Sequence, residues 1–393
     1  MASCIDSSSP AIDPARRRAL VPESLLMEGV NVRISARKGE TKGPTSALAP
    51  SYLQANLIVL PSGYADDFTR FCQRNPVPCP LIAKSATVGS YNALVSWIEG
   101  VTGEELATDI DIRTDAPKYM VYKDGELVGD QINDIKTYWT DDHVAFLIGC
   151  SYSFEDALKT GGLMPRHSRQ RRNVPMYKTN ISLCPAGAFD RGTYIVSMRP
   201  YRKDQIERVR EITRPYLATH GEPIAWGWEA VAQLGIKDIN KPDWGDRSVD
   251  DEGCNLEPAR GHGDELVPVF WGCGVTPQYA VMSAGLKGVV MGHAPGHMLV
   301  LDCRDDDLLR NRFERGKNWH TRHRFLNIQF DDEIACWAEP SGMIAQRTNV
   351  YSCIVNSTCV SVSNATWLKW LNVDPLSSNS FRRSNHSKAF TSL

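Results

Sequence analysis

Two near-continuous apolar runs constrain this chain more than any other feature. HVAFLIGC (143–150) and VPVFWGC (267–273) both end in Gly-Cys, and helix-start signals follow each at once. A strand apolar at nearly every position has to be covered on both faces, since a half-solvated strand alternates instead. After the first run, Ser151 or Ser153 can cap a helix whose first turn carries Glu155 and Asp156, and Gly161-Gly162 ends it. After the second, Gly274 makes a tight turn, with Thr276 as N-cap and Pro277 as first helical residue. TYIVSMRP (193–200) and GVVMGHAPGHMLVLDC (288–303) repeat the strand pattern, and the amphipathic KDQIERVREIT follows the former. Strands alternating with helices predict an α/β fold, a sheet flanked by helices.

Other segments fill in this outline. YADDFTRFCQR (64–74) reads as a helix stopped at Asn75-Pro76. In 109–128, alternation through 109–113 and the run 119–122 read as strands, with a hairpin turn at Lys123-Asp124-Gly125. They form a β-rich part over about 105–140. Residues 1–50 are polar and rich in Ser, Pro and Arg, so order is expected to begin near Tyr52, with 1–42 a disordered leader. From 305 the chain turns charged and then polar, a partly disordered extension to which no role is assigned.

A net charge of −2 over 393 residues offers no surface for nucleic acid or membrane. No apolar run approaches the roughly 20 residues that span a bilayer. Eleven cysteines, an odd number without framework spacing and without a secretory leader, point to free thiols in the cytoplasm. Arg16, Arg17 and Arg18 give a fainter hint of the mitochondrion. Nucleotide-phosphate loops, paired zinc cysteines and a serine-hydrolase elbow are all missing from the sequence.

Ligands of open α/β sheets bind beyond the carboxyl ends of strands, and Cys150, Arg199, Cys273 and His293 all fall there. Each cysteine precedes a helix start, where the dipole favours a thiolate or a bound anion; the plainer reading is a small buried hydrophobe. His293, His297 and Asp302 have metal-like spacing, but Pro295-Gly296 forbids the helix that would aim both imidazoles at one ion. An acid–base or structural role is therefore expected for His293, and the same two roles are open to His220. Arg113, Arg166 and Arg199 are candidate carboxylate binders, each with a plain ion pair as the alternative. Asn173, Tyr177 and Asn180 crowd donors around a proline turn. Ser151, Ser153, Thr276 and Gln278 at the helix starts, with His297, complete the candidate binding set. No metal or other cofactor is expected. The expected partner is a small carboxylate substrate, and a homo-oligomer is left open.

Taken in order, SYLQANLIVLP, ADDFTRFCQRNPVPCPL, DIDIRTDAPKY, VAFLIGCSYSFEDAL, RNVPMYKTNI, VSMRP, THGEP, PVFWGCGVTPQ and HAPGHML make the chain similar to the D-glutamate cyclase family, from about 43 to 304. The resemblance implies a three-layer α/β sandwich, with helices flanking a mixed sheet and a smaller α+β part. It also implies a lyase that loses water as it closes D-glutamate to 5-oxo-D-proline, with an acid–base pair drawn from Cys150, His220, Cys273 and His293. One stretch departs from the family's HGxPVHxGDP. Here Ala225 stands at the second histidine and Trp228 at the aspartate. If that loop lines the pocket, a larger or more apolar substrate is expected. The alternatives are a binder that has lost catalysis and a metal-dependent hydratase or hydrolase on His293, His297 and Asp302.

Overall fold

A computed structural model of the chain describes residues 28–305, apart from 42, 46, 47, 171, 252 and 259–265. In chain order its elements begin with α1 (Gly29–Arg37), β1 (Tyr52–Pro61), α2 (Ala65–Arg74), β2 (Leu81–Ser85), β3 (Leu94–Ser96), α3 (Gly103–Leu106), β4 (Tyr119–Lys123), β5 (Glu126–Ile132) and β6 (His143–Gly149). A 3₁₀ turn, Ser151–Phe154, leads into α4 (Glu155–Thr160), followed by α5 (Arg166–Arg169), β7 (Met176–Ser182), β8 (Thr193–Arg202) and α6 (Ile206–Thr213). The last elements are β9 (Ala225–Trp226), α7 (Trp228–Gln233), β10 (Leu266–Gly272), α8 (Val275–Ser283), β11 (Val289–His293) and β12 (Leu299–Arg304).

The strands form two sheets. The larger has the order β3-β2-β6-β1-β11-β4-β5, with β12 also paired to β1, and the smaller has the order β7-β8-β10-β9. Nine of the ten residues of β1 are buried, because the strand is covered on both faces. On one side Leu53, Leu57 and Val59 join Leu147, Val121 and Leu301. On the other, Ile58 and Leu60 meet Phe146 and Phe68 and Phe71 of α2, together with Ala280 and Val281 of α8. Burying such a side chain fully is worth about 1.5–3 kcal/mol. The smaller sheet is likewise covered twice, by Phe154, Leu158 and Val209 against Trp271, and by Ala230 and Leu234 against Phe270. The α/β class expected from the run pattern, and the sandwich that the family resemblance implies, are observed. The strand direction differs in detail from a mixed sheet: every strand pairing among the described residues is antiparallel.

Two local expectations give way. Residues 109–113 form a turn and not a strand. Asp109 has φ 49°, and the Asp111 and Asp115 carboxylates accept bonds from nearby backbone N–H groups, which offers this stretch an alternative to a ladder. Order also begins before Tyr52, with α1. Its Arg33 is fully buried between Asp115 (Nε to Oδ2, 3.5 Å) and Asp302 (Nη2 to Oδ2, 2.7 Å), and it donates to the Val300 carbonyl. A buried cation tied to two carboxylates anchors a helix whose sequence looks like surface. The hairpin between β4 and β5 turns at Asp124 and Gly125, both with positive φ, as that tight turn requires. The leader through residue 27 and the extension beyond 305 lie outside the described residues.

Candidate active site

Both Gly-Cys corners open onto one cleft at the seam between the sheets. Its walls include Asn56 of β1, Cys150 and Ser151 after β6, Cys273 and Gly274 after β10, and His293 at the end of β11. Its empty volume, mouth included, is ≈ 550 Å³. Met176, Trp244, Val174, Val275 and Met298 give it an apolar wall, with Tyr152, Asn173 and Gln278 as further polar groups. Among the described lining residues there is no lysine or arginine.

Glycine is needed at both corners because a side chain has nowhere to go. A Cβ on Gly149 would lie 1.8 Å from the Ala218 carbonyl oxygen, and one on Gly274 would lie 2.0 Å from Asn56 Nδ2. The 218–220 segment backs both corners, since a Cβ on Gly272 would stand 3.4 Å from His220 Nδ1. His220 is buried with φ 85°, and its Nδ1–H donates to the Val77 carbonyl at 2.8 Å. It stands behind the cleft and does not line it. Burial pushes its pKa down to about 4.

His293 does line the cleft. Its Nδ1–H donates to the Ala294 carbonyl at 2.8 Å, which leaves Nε2 as the acceptor of the neutral ring. Gln278 Nε2 donates to that nitrogen at 2.8 Å, and Asn56 Oδ1 lies 3.2 Å from it, placed to accept once it takes a proton. Burial lowers the His293 pKa to about 4, so the ring is neutral near pH 7. His297 is half-buried, its Nδ1–H donates to Pro295, and it lies outside the cleft lining. Asp302 is committed to Arg33 and Thr108. Among the described residues no three His, Cys, Asp or Glu side chains come together as metal ligands.

Of the two readings open to the cysteines, a thiolate at a helix start and a buried thiol, the surroundings favour the thiol. Burial pushes Cys150 up to about 12, against the opposing backbone N–H of Tyr152, and Cys273 up to about 11, against that of Val275. Desolvation outweighs the helix starts, so both sulfurs carry protons at neutral pH.

Each expected carboxylate arginine is engaged elsewhere. Arg113 pairs with Asp111 at 2.9 Å and stacks on Tyr91, while Arg166 pairs with Asp251 at 2.6 Å. Arg199 is fully buried; its Nη2 lies 2.6 Å from Glu155 Oε1 and 3.0 Å from Ser151 Oγ. It therefore stands one residue behind the cleft wall. Tyr177 is a core residue donating to Ile239, Asn180 donates to Gln233, Thr276 bonds Ile195, and Ser153 accepts from the Gln54 N–H. These four are structural. Thr276 is also not a cap, since α8 already starts at Val275. Cys150, Ser151, Asn173, Cys273, Gln278 and His293 are thus the expected residues that the fold gathers into one space.

Sequence reasoning passed over Asn56, Tyr152, Trp244, Met176 and Met298. Only Asn56 carried a signal, as one of two amides, with Gln54, inside an otherwise apolar strand. The departure at Ala225 and Trp228 does not reach the cleft. Ala225 packs with Phe270, and Trp228 Nε1–H donates to the Leu266 carbonyl, so the enlarged pocket tied to that loop is withdrawn.

A model of the D-glutamate cyclase family matches residues 144–302. A Bordetella pertussis protein, named a candidate hydro-lyase, is 46% identical over 285 residues, which is 72% of this chain and 93% of that protein. Relatives with the same kind of name come from Bacillus licheniformis, 45% identical over 70% of this chain and 94% of theirs, and Schizosaccharomyces pombe, 41% identical over 71% and 86%. Among the described residues no helix is long and apolar enough to cross a membrane.

Proposed function

The chain belongs to the D-glutamate cyclase family, and from that premise we propose that it is a hydro-lyase acting on a small carboxylate, with interconversion of D-glutamate and 5-oxo-D-proline as its reaction. The observation that carries this reading is the shared cleft: a neutral imidazole, two protonated thiols and a hydroxyl face one small, partly apolar space. In the cyclising direction the amine attacks the side-chain carboxyl, a new C–N bond forms, and water leaves. His293 Nε2 takes a proton from the attacking nitrogen, a step whose typical worth is 10²–10⁴-fold. Ser151 donates a hydrogen bond to the oxygen that gains charge as the C–N bond forms and that stays as the ring carbonyl. A cysteine thiol donates one to the other oxygen, and the proton taken by His293 passes to that second oxygen, which departs as water. Holding the amine and the carboxyl of one molecule in a near-attack geometry adds to this by excluding unproductive conformers. Among the described lining residues there is no cation, so a free carboxylate rests on the side-chain amides of Asn173 and Gln278. A reducing compartment such as the cytoplasm suits eleven cysteines of this pattern.

The full chain incubated with D-glutamate, and separately with 5-oxo-D-proline, tests this by chromatography. Interconversion above a His293→Gln control is the expected result. Its absence beside an active relative sinks this substrate pair.

A further inference from the structure

Arg199 is the one buried cation within a hydrogen bond of the described cleft wall, and its surroundings account for every nitrogen it has. Nε and Nη2 donate to Glu155 Oε1 at 3.1 and 2.6 Å, Nη1 donates to Ser197 Oγ at 3.1 Å, and Nη2 also donates to Ser151 Oγ at 3.0 Å. Phe154 and Trp271 pack beside the guanidinium, their rings 5.3 and 5.2 Å from its carbon. Glu155 is fixed in turn by His167 Nε2 at 3.1 Å and by the Ser168 hydroxyl at 3.0 Å. This cation has no freedom to meet a substrate.

Its effect reaches the cleft through Ser151. A hydroxyl oxygen that accepts from a cation must send its own hydrogen elsewhere, and acceptance from a charged donor strengthens it as a donor. Ser151 is 5% exposed and lines the cleft, and none of its described bonds gives that hydrogen a protein acceptor. We propose that Arg199 is a positioning residue that turns the Ser151 hydroxyl into a fixed hydrogen-bond donor for the substrate oxygen that gains negative charge, with Glu155 as the counter-charge that keeps the guanidinium in place. This explains why no lysine or arginine stands among the described lining residues. It rests on the cleft being the site of the reaction proposed above.

A double-mutant cycle on the D-glutamate/5-oxo-D-proline pair tests it, with 5-oxo-D-proline affinity as a second readout. Ser151→Ala lowers kcat by about 10²-fold, the usual effect of one lost oxyanion donor, with KM within about twofold. Arg199→Lys lowers kcat by at least about tenfold in the parent chain and has no further effect on top of Ser151→Ala, because the second change removes what the first acts through. Ser197→Ala, a milder way to loosen the same guanidinium, gives the same loss of additivity if Arg199→Lys does not fold. Independent, multiplying effects on kcat overturn the proposal and leave the functional reading intact. A parent chain that neither turns over nor binds the pair overturns both.

Discussion

The two Gly-Cys corners share a grammar but not a chemistry. Each ends an apolar strand, each has a glycine pressed against a close neighbour, and each points a protonated thiol into the same cleft. Behind Cys150, however, stand Ser151, Arg199 and Glu155, a charged set fixed by short hydrogen bonds. Beside Cys273 stand Asn56, Gln278 and His293, all neutral near pH 7. One side gives hydrogen bonds to growing negative charge, while the other accepts a proton. A repeated motif thus builds the two walls of a site, and the element packed behind each repeat decides what that wall does.

The comparison breaks most visibly at the acceptor side. His293→Gln is expected to lower kcat by about 10³-fold without unfolding the chain, whereas a loss under tenfold would remove the imidazole from its assigned role.

Acid separates the two sides next. His293 and His220 have folded-state pKa values of about 4 against an ordinary 6.5, so the unfolded chain binds their protons first. Stability is therefore complete above pH 6.5 and falls between 6.5 and 4, by on the order of 3 kcal/mol for each histidine. Glu155 behaves differently. Burial alone would raise it, but His167 and Arg199 outweigh that and hold it at about 2, so its contribution is lost only as pH falls from about 4.5 towards 2. Denaturant unfolding from pH 8 to 3 should show the first loss with the donor side still paired.

The glycines come third. Gly149→Ala meets a backbone carbonyl that cannot move aside and should cost about 3 kcal/mol. Gly274→Ala meets the Asn56 side chain, which can rotate, and should cost about 1 kcal/mol of stability while disturbing the His293 contacts. Equal costs in thermal unfolding would mean that the corners are backed alike. The smallest effect is kinetic: iodoacetamide at neutral pH should label exposed Cys254 well before either buried cleft thiol, as read by peptide mass spectrometry.

Much of the fold was legible because burial on two faces leaves a direct trace, the unbroken apolar run. β6, β8, β10, β11 and β12 all lie where such runs occur. The turn at 109–113 was misread because alternating Asp and Ile imitates a half-buried strand, while the aspartates in fact bond the local backbone. α1 stayed hidden since its key residue, Arg33, is a buried cation whose partners lie 82 and 269 positions away. The site was read in part for the same reason. Cys150, Cys273 and His293 announce themselves at strand ends, but whether an arginine faces substrate or stands behind the wall depends on distant carboxylates. Arg166 and Arg199 each found one, while Arg113 is taken by its near neighbour Asp111.

A crystal structure of the chain soaked with 5-oxo-D-proline is the most direct measurement. The account predicts the ligand between the two corners, with a ligand oxygen within hydrogen-bond distance of Ser151 Oγ and its ring nitrogen facing His293 Nε2. Ligand density elsewhere on the molecule, with the cleft unaltered, would contradict it.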